Sequence, residues 1–188
     1  MDIAPHDVSN IGREEAAICE PAAVALRAFY KSGVGVGDTI LIYGIGPIGL
    51  FIAQWAKAAG VKSIFLVDGA EKKVVLAQKM GFTMAVHHKK LSEVMNAATG
   101  ADACIECTGI SEVLAECVSH ARVGGIVVCV GAQAEDVEFS QETYLGIRYK
   151  ELALVGVSTD NAREMEEWEE AVKAVREGRL NIEAFRRK

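Results

Sequence analysis

A short apolar run, a glycine-rich turn and a stretch of helix-forming residues follow one another between Thr39 and Ala59. The run 39–43 is β-branched and apolar, which is typical of a strand buried on both faces. The turn 44–49 has the pattern G-x-G-x-x-G, and a second apolar strand (63–67) ends on Asp68, nineteen residues after Gly49. This order of strand, glycine turn, helix, strand and acid predicts a βαβ unit that binds a dinucleotide.

The three glycines and the acid of that pattern each have a physical task if the ligand is a dinucleotide. Gly44 allows a tight turn, Gly46 lets the backbone approach a pyrophosphate, and Gly49 lets the helix lie against the strand. The helix N-terminus offers unpaired N–H groups to the phosphates. Asp68 stands where a carboxylate accepts hydrogen bonds from the adenosine ribose, and its charge would repel a 2′-phosphate. The sequence therefore favours NAD over NADP.

The alternative is that these glycines only make turns, because a G-x-G-x-x-G pattern alone is a weak signal. The chain holds a second glycine run at 33–37, which precedes the first strand and is interpreted as the turn that ends a helix. Only the run at 44–49 has a strand before it, a helix after it and an acid at the expected distance. That context favours nucleotide binding.

Strand and helix patterns alternate along the rest of the chain, which predicts right-handed βαβ crossovers and a parallel sheet. We expect an α/β, doubly wound, six-stranded Rossmann sheet with strand order 3-2-1-4-5-6 and an N-terminal helix. The predicted strands are 39–43, 63–67, 83–86, 103–107, 126–130 and 152–157. The predicted helices between and after them are 50–59, 71–79, 91–98, 111–120 (capped by Ser111) and 162–177. The crevice should lie at the strand ends Gly44, Asp68, Thr108 and Gly131.

The length of 188 residues allows one domain with a full core. Residues 1–13 are predicted to be an irregular leader and residues 14–188 a single nucleotide-binding domain. Residues 14–31 have helical composition, but Pro21 lies inside them, so the helix is predicted to begin there. The stretch 139–149 has no clear pattern and is predicted to be irregular.

Composition excludes several partners. The net charge is −6 and no basic stripe is present, which argues against nucleic acid. No apolar run approaches the ~20 residues of a membrane span, and no signal sequence opens the chain. Five cysteines at irregular spacing, mostly inside apolar runs, indicate reduced thiols and a cytoplasmic protein.

Three other groups of residues could suggest a functional site, but a purely structural role explains each of them. Cys104 and Cys107 lie on a predicted strand and point to opposite faces, which argues against a metal or redox pair. His87 and His88 are predicted to lie in a solvated loop. The acidic run 164–170 is predicted to be the solvated face of a helix.

The chain resembles the coenzyme domain of the medium-chain, zinc-dependent alcohol and polyol dehydrogenases. The resemblance lies in residues 37–50 (GDTILIYGIGPIGL), 54–60 (QWAKAAG) and 106–109 (ECTG). Glu20-Pro21 and residues 149–152 (YKEL) resemble the sorbitol, L-iditol and galactitol-phosphate branch. The resemblance covers nearly the whole chain.

The resemblance implies a set of roles for individual residues. The pyrophosphate would be held by Gly44, Gly46, Pro47, Ile48 and Gly49. The adenosine ribose would be bound by Asp68 and Lys73, and the nicotinamide side would be bordered by Thr108, Val130, Gly131 and Ala132. Glu20 falls where the family places a ligand, or a near neighbour, of the catalytic zinc. Its alternative interpretation is an acid at a helix N-terminus, which needs no metal.

In a complete enzyme the resemblance implies oxidation of a polyol or sugar-alcohol phosphate, as in L-iditol 2-dehydrogenase, with zinc polarising the alcohol and NAD accepting the hydride. The family's other zinc ligands lie in a separate catalytic domain, which this sequence lacks. We therefore expect this chain to bind NAD(H) without turnover, and to bind neither zinc nor the polyol alone. The resemblance also implies a homo-oligomer formed through the edge strand 152–157.

Three other functions remain open at this point. One is a non-catalytic module that senses NAD. Another is a short-chain reductase, but its Tyr-x-x-x-Lys pair is missing from 111–121, the helix after the fourth strand. The third is a methyltransferase on a related sheet, which would prefer S-adenosylmethionine to NADH.

Overall fold

The computed structural model describes residues 13–95, 99–133, 136–158 and 164–185. The predicted leader lies almost entirely outside them. Six strands form one parallel sheet of order β3-β2-β1-β4-β5-β6, as predicted. They are β1 (Thr39–Tyr43), β2 (Ser63–Asp68), β3 (Ala85–His87), β4 (Ala101–Glu106), β5 (Ala121–Cys129) and β6 (Ala153–Gly156).

Helices cover both faces of this sheet. They are α1 (Arg13–Ser32), α2 (Pro47–Ala58), α3 (Glu71–Lys79), α4 (Leu91–Val94), α5 (Ser111–His120), α6 (Gln141–Tyr149) and α7 (Glu164–Arg176), with 3₁₀ turns at His88–Lys90 and Glu183–Phe185. Within the described ranges, every helix is too short or too polar to cross a lipid bilayer.

Strand β1 lies at the centre of the core. Its successive side chains point to opposite faces, so Ile40 and Ile42 pack with α1, α2, α3 and α7, whereas Leu41 and Tyr43 pack with α4 and α5. Ile40, Leu41 and Ile42 are fully buried. A strand buried on both faces has no polar alternation, which explains its continuous apolar sequence.

The N-terminal helix differs from its prediction, because α1 begins at Arg13 and runs through Pro21. Proline removes the hydrogen bond that the carbonyl of Ala17 would accept, and this interruption usually ends or kinks a helix. Here the small residues Ala22, Ala25 and Ala28 are fully buried against the neighbouring helices α2 and α7. We infer that this burial outweighs the lost hydrogen bond.

The second difference is α6, which occupies a stretch predicted to be irregular. The Ser140 hydroxyl caps this helix by accepting from the Thr143 amide at 3.1 Å. Gly146, Tyr144 and Tyr149 lower the intrinsic helix propensity of the segment, so its composition did not predict a helix. By contrast, Ser111 does not cap α5: the cap position is Ile110, without a side-chain hydrogen bond.

The remaining differences concern element ends. Strand β5 begins at Ala121 instead of residue 126, because Gly124 and Gly125 continue the strand with a register shift against β4. Strand β3 is displaced towards the C-terminus by one or two residues, and β4 begins two residues earlier and ends one earlier than predicted. Strand β6 is one residue shorter at each end. Helix α4 ends at Val94, and residues 96–98 of its predicted range lie outside the described residues, as do residues 162 and 163 of α7.

Candidate functional site

The glycine turn joins β1 to α2 at the carboxyl edge of the sheet. Gly44 has φ 100°, a backbone conformation that favours glycine, and its N–H donates to the Val67 carbonyl at 2.8 Å. Gly46 is the N-cap of α2, Pro47 is its first residue, and no side chain caps this end. Because Pro47 has no N–H and the Leu50 amide donates to the Gly46 carbonyl, the amides of Ile48 and Gly49 are those without partners inside the helix.

Gly49 and Gly46 differ in whether the fold leaves room for a side chain at their positions. A Cβ on Gly49 would lie 2.0 Å from the Gly44 carbonyl oxygen, so only glycine allows the helix to approach the turn so closely. A Cβ on Gly46 would meet no atom within 4 Å. The fold requires Gly49, whereas Gly46 leaves space beside the backbone that the protein itself does not fill.

Asp68 ties the end of β2 to the glycine turn. Its Oδ2 accepts from the Ile45 amide at 2.8 Å and from Lys73 Nζ at 3.1 Å, and its Oδ1 accepts from the Ala70 amide at 2.9 Å. Burial alone would raise the pKa of Asp68, but these hydrogen bonds and the lysine charge outweigh it and hold the pKa below its ordinary value. Asp68 is therefore an anion at neutral pH. Its Oδ1 accepts one hydrogen bond, from Ala70, and can accept another.

A cavity of about 560 Å³ opens beside this carboxylate, and we name it the Asp68 cavity. Gly44, Gly46, Lys73 and Thr108 line it together with Asp68. A second cavity of about 660 Å³, the Glu20 cavity, lies on the other side of the glycine turn. Its lining includes Glu20, Pro47, Ile48, Val130, Gly131 and Ala132.

The structure thus places the sequence-predicted residues, apart from Gly49, on the walls of these two cavities. The ends of β1, β2 and β4 line the Asp68 cavity, and the end of β5 lines the Glu20 cavity. Both cavities include part of the glycine turn, which lies between them. An elongated ligand with a charged middle and two ring-bearing ends would follow this shape.

Glu20 is exposed on α1, eight residues from the N-terminus of the helix. The interpretation as a helix N-terminal acid is therefore wrong, because α1 begins at Arg13. Among the residues that the structure describes, no three His, Cys, Asp or Glu side chains are grouped so as to hold a metal ion. A catalytic zinc takes three protein ligands, so Glu20 and its described neighbours do not provide that set.

Sequence reasoning missed the side chain of Glu106 as part of this site. Glu106 is the last residue of β4 and is fully buried. Its Oε1 accepts from Thr108 Oγ1 at 2.6 Å and from the Gly109 amide at 2.8 Å, and its Oε2 accepts from Gln133 Nε2 at 3.3 Å. A carboxylate that ends an apolar strand just before a Thr-Gly turn was the signal in the sequence.

The turns after β4 and β5 touch each other through their backbones. A Cβ on Gly131 would lie 2.2 Å from the Gly109 nitrogen, and one on Gly109 would lie 2.3 Å from the Ala132 carbonyl oxygen. Both positions exclude any side chain. The predicted role of Gly131 in the crevice thus coincides with a steric requirement of the fold.

The cysteine pair behaves as the alternating strand geometry predicts. Cys104 packs in the core on the α5 face of the sheet, and Cys107 packs against the core on the α2 face. Burial raises the pKa of both thiols, so neither forms a thiolate readily. This geometry opposes a shared metal or a disulfide between the two.

Of the two histidines, His87 is less exposed than predicted, whereas His88 is exposed as predicted. His87 is half-buried at the end of β3, and its Nε2 donates to the Gly69 carbonyl at 3.0 Å. His88 is exposed and lines the Asp68 cavity. Because β3 extends to His87, the pair lies at the sheet edge instead of in a loop.

Comparison with known proteins gives the same picture. A family model described as zinc-binding dehydrogenase matches residues 47–177. The L-idonate 5-dehydrogenase of Vitis vinifera is 32% identical over 136 residues, which cover 67% of this chain and 37% of that protein. The chain spans about half the length of the first curated relatives that it matches.

Solved structures match in fold as well. Galactitol-1-phosphate dehydrogenase of Escherichia coli has a TM-score of 0.78 at 26% identity, over 93% of this chain and 53% of that one. A structure from Sinorhizobium meliloti, bound to NADP, has a TM-score of 0.76 at 30% identity, over 89% and 50%. The match of the family model over most of the sequence shows the family. The chain belongs to the zinc-binding dehydrogenases and contains their coenzyme-binding domain.

Proposed function

We propose that this chain binds NAD(H) in the crevice formed by the Asp68 cavity, the glycine turn and the Glu20 cavity. The observation that carries the proposal is the open space beside Gly46, at an uncapped helix N-terminus and next to an anionic carboxylate. A helix N-terminus favours phosphate, and a carboxylate accepts ribose hydroxyls. The residues present therefore fit a dinucleotide.

In this arrangement the pyrophosphate contacts the amides of Gly46, Ile48 and Gly49. The Gly44 and Ile45 amides donate within the protein, and proline has no N–H. The adenosine ribose enters the Asp68 cavity, where the partly occupied Oδ1 of Asp68 accepts a hydroxyl and Lys73 moves to a neighbouring one. The nicotinamide lies in the Glu20 cavity, bordered by Val130, Gly131 and Ala132, with Thr108 at the junction. The bound cofactor supplies the hydride acceptor, while the chain positions its reactive ring.

We further propose that NAD is preferred to NADP. A 2′-phosphate beside Asp68 would face an anion that is already hydrogen-bonded into the turn. The solved structure from Sinorhizobium meliloti has NADP bound, so a similar fold accommodates the 2′-phosphate, and the preference proposed for this chain depends on Asp68. Asp68→Ala should weaken NADH and reduce the discrimination against NADPH; unchanged affinities for both would refute the ribose assignment.

The proposed reaction of the whole protein is oxidation of a secondary alcohol on a polyol or sugar-alcohol phosphate, similar to that of L-iditol 2-dehydrogenase. The names of the relatives support this substrate class, since they include an L-idonate and a galactitol-1-phosphate dehydrogenase. The described residues do not form a set of zinc ligands, so we expect the residues that bind and ionise the alcohol in a separate catalytic domain of the complete enzyme. Glu20 would be one zinc ligand there, or a near neighbour of the zinc. We expect no polyol turnover by this chain alone. We also propose that the protein is cytoplasmic.

We also propose that the chain forms a homo-oligomer through β6. This strand is at the edge of the sheet, and Ala153, Leu154 and Gly156 are exposed along it. An exposed edge offers unpaired backbone groups to another copy. Light scattering after size exclusion measures the mass directly, and a monomer at high concentration would contradict this part of the proposal.

Titration of the purified chain with NADH, NADPH and S-adenosylmethionine tests the main proposal. The expected result is that NADH binds in preference to the other two. In separate assays with sorbitol, NAD and zinc, we expect no NADH to form. Preference for S-adenosylmethionine would instead support a methyltransferase. Zinc-dependent polyol oxidation by the purified chain would refute the proposal that it binds the cofactor without catalysing the reaction.

A further inference from the structure

We infer that Glu106 is a positioning residue for the dinucleotide, acting through the two turns that separate the Asp68 cavity from the Glu20 cavity. This inference rests on the proposed function. Glu106 lines neither cavity and is fully buried, so it does not touch the cofactor itself. Its effect is transmitted through the backbone groups that it holds.

The first turn that Glu106 holds is the one between β4 and α5. One carboxylate oxygen accepts from the Thr108 hydroxyl, the Thr108 amide and the Gly109 amide. These three contacts fix Thr108, which lines the Asp68 cavity. Gly109 has φ 71°, a conformation that glycine adopts readily, so glycine itself allows the turn and the Glu106 bonds fix its position.

The second turn is the one after β5. The Glu106 backbone carbonyl accepts from the amides of Val130 and Gly131 at 2.9 and 3.0 Å. The second carboxylate oxygen accepts from Gln133 Nε2 at 3.3 Å. Val130 and Gly131 line the Glu20 cavity, so a single buried residue is bonded to the walls of both cavities.

The chemistry of the pocket requires a carboxylate and not merely a side chain of this size. All the side-chain partners named above are N–H or O–H donors. In Glu106→Gln, an NH₂ group at the Oε1 position would face the amides of Thr108 and Gly109, and one at the Oε2 position would face Gln133 Nε2 unless the Gln133 side-chain amide also turned. Among the described residues no lysine or arginine forms an ion pair with Glu106, so its contacts are hydrogen bonds to the two turns alone.

Asp102 offers a matched control at the opposite end of the same strand. Its Oδ2 accepts from the Thr39 amide at 2.8 Å and its Oδ1 from Arg122 Nε at 2.6 Å. It lines neither cavity. Asp102→Asn therefore disturbs a bonded carboxylate of β4 without disturbing the two turns.

The test compares NADH with AMP, which reaches only the adenosine side of the crevice. For Glu106→Gln we expect NADH affinity to fall by about tenfold or more, as when one charge-assisted hydrogen bond is lost. AMP affinity should fall by a smaller factor, because AMP reaches the Thr108 turn but not the turn after β5. For Asp102→Asn we expect both affinities to stay within about twofold of the wild type. Melting temperatures of both variants are measured alongside.

The outcomes separate the inference from the proposed function. Wild-type NADH affinity in Glu106→Gln overturns the inference alone. Equal losses of NADH and AMP that follow the melting temperature in both variants overturn it too, because they indicate a general structural role. Failure of the wild type to bind NADH overturns the proposed function and the inference together.

A second variant keeps the test decisive if Glu106→Gln does not fold. Gln133→Leu removes the donor to Oε2 at a half-buried position and leaves β4 intact. We expect it to weaken NADH by about threefold to tenfold, with AMP unchanged. Wild-type NADH binding by Gln133→Leu would then overturn the inference.

Discussion

Replacement of Gly46 by alanine gives the sharpest test of the glycine turn, because it separates ligand binding from folding. The added methyl group meets no protein atom within 4 Å, and the backbone at Gly46 has φ −94° and ψ −175°, which alanine adopts without strain. Alanine is a poorer N-cap than glycine, but it also restricts the unfolded chain. We therefore expect the free energy of unfolding to change by less than about 1 kcal/mol.

The effect on NADH should be much larger. The methyl group would occupy the space that the proposal assigns to the pyrophosphate, and would push it away from the amides of Ile48 and Gly49. Each hydrogen bond from an amide to a charged phosphate contributes about 1.5–3 kcal/mol. Since about 1.4 kcal/mol corresponds to tenfold in affinity, losing one such bond predicts a Kd that is at least about tenfold higher.

Gly35→Ala is the matched control for this experiment. A Cβ on Gly35 also meets no atom within 4 Å, its φ lies outside the left-handed region, and it lies in the turn before β1, outside both cavities. Isothermal titration with NADH and thermal melts would be run on both variants and the wild type. If Gly46→Ala binds NADH as tightly as Gly35→Ala, the pyrophosphate does not lie on this turn.

Three further predictions concern stability. Gly49→Ala should lower the free energy of unfolding by about 2–4 kcal/mol in urea melts, because its Cβ collides with the Gly44 carbonyl; a wild-type melt would refute the close packing of α2. Burial alone would raise the pKa of Asp102, but Arg122 and a backbone amide hold it below its ordinary value, so the stability it contributes is present above about pH 4 and is lost as the pH falls through its folded-state pKa. Asp102→Asn should flatten this part of the acid stability profile, and an unchanged profile would contradict the assignment. Lys150→Met should cost about 1.5–3 kcal/mol, because Lys150 Nζ donates to three carbonyls at the end of α5; a loss below about 0.5 kcal/mol would show that water replaces it.

The sheet was predictable because its local signals agree with the fold. Strands β1 and β2 and the C-terminal part of β5 are continuous apolar runs bounded by glycine or an acid, and the glycine turn marks the first βα connection. Parallel strands joined by helices then leave few arrangements, and the observed strand order is the predicted one. The predicted crevice residues are brought together because they all follow strand ends at one edge of that sheet.

The errors arose where tertiary contacts override local preference. Pro21 is a strong local signal for a helix start, yet the buried alanine face of α1 keeps the helix intact. The composition of α6 is unfavourable for a helix, yet the Ser140 cap satisfies its first turn. Glu106 was overlooked because burial of an acid depends on the donors that surround it, and those donors come from two separate turns.

A crystal structure of this chain grown with saturating NADH tests the central claim most directly. We predict the pyrophosphate on the amides of Gly46, Ile48 and Gly49. A ribose hydroxyl should lie on Asp68 and the nicotinamide beside Val130 and Gly131. NADH bound at another surface, or a crevice that stays empty while calorimetry shows saturation, would contradict the account.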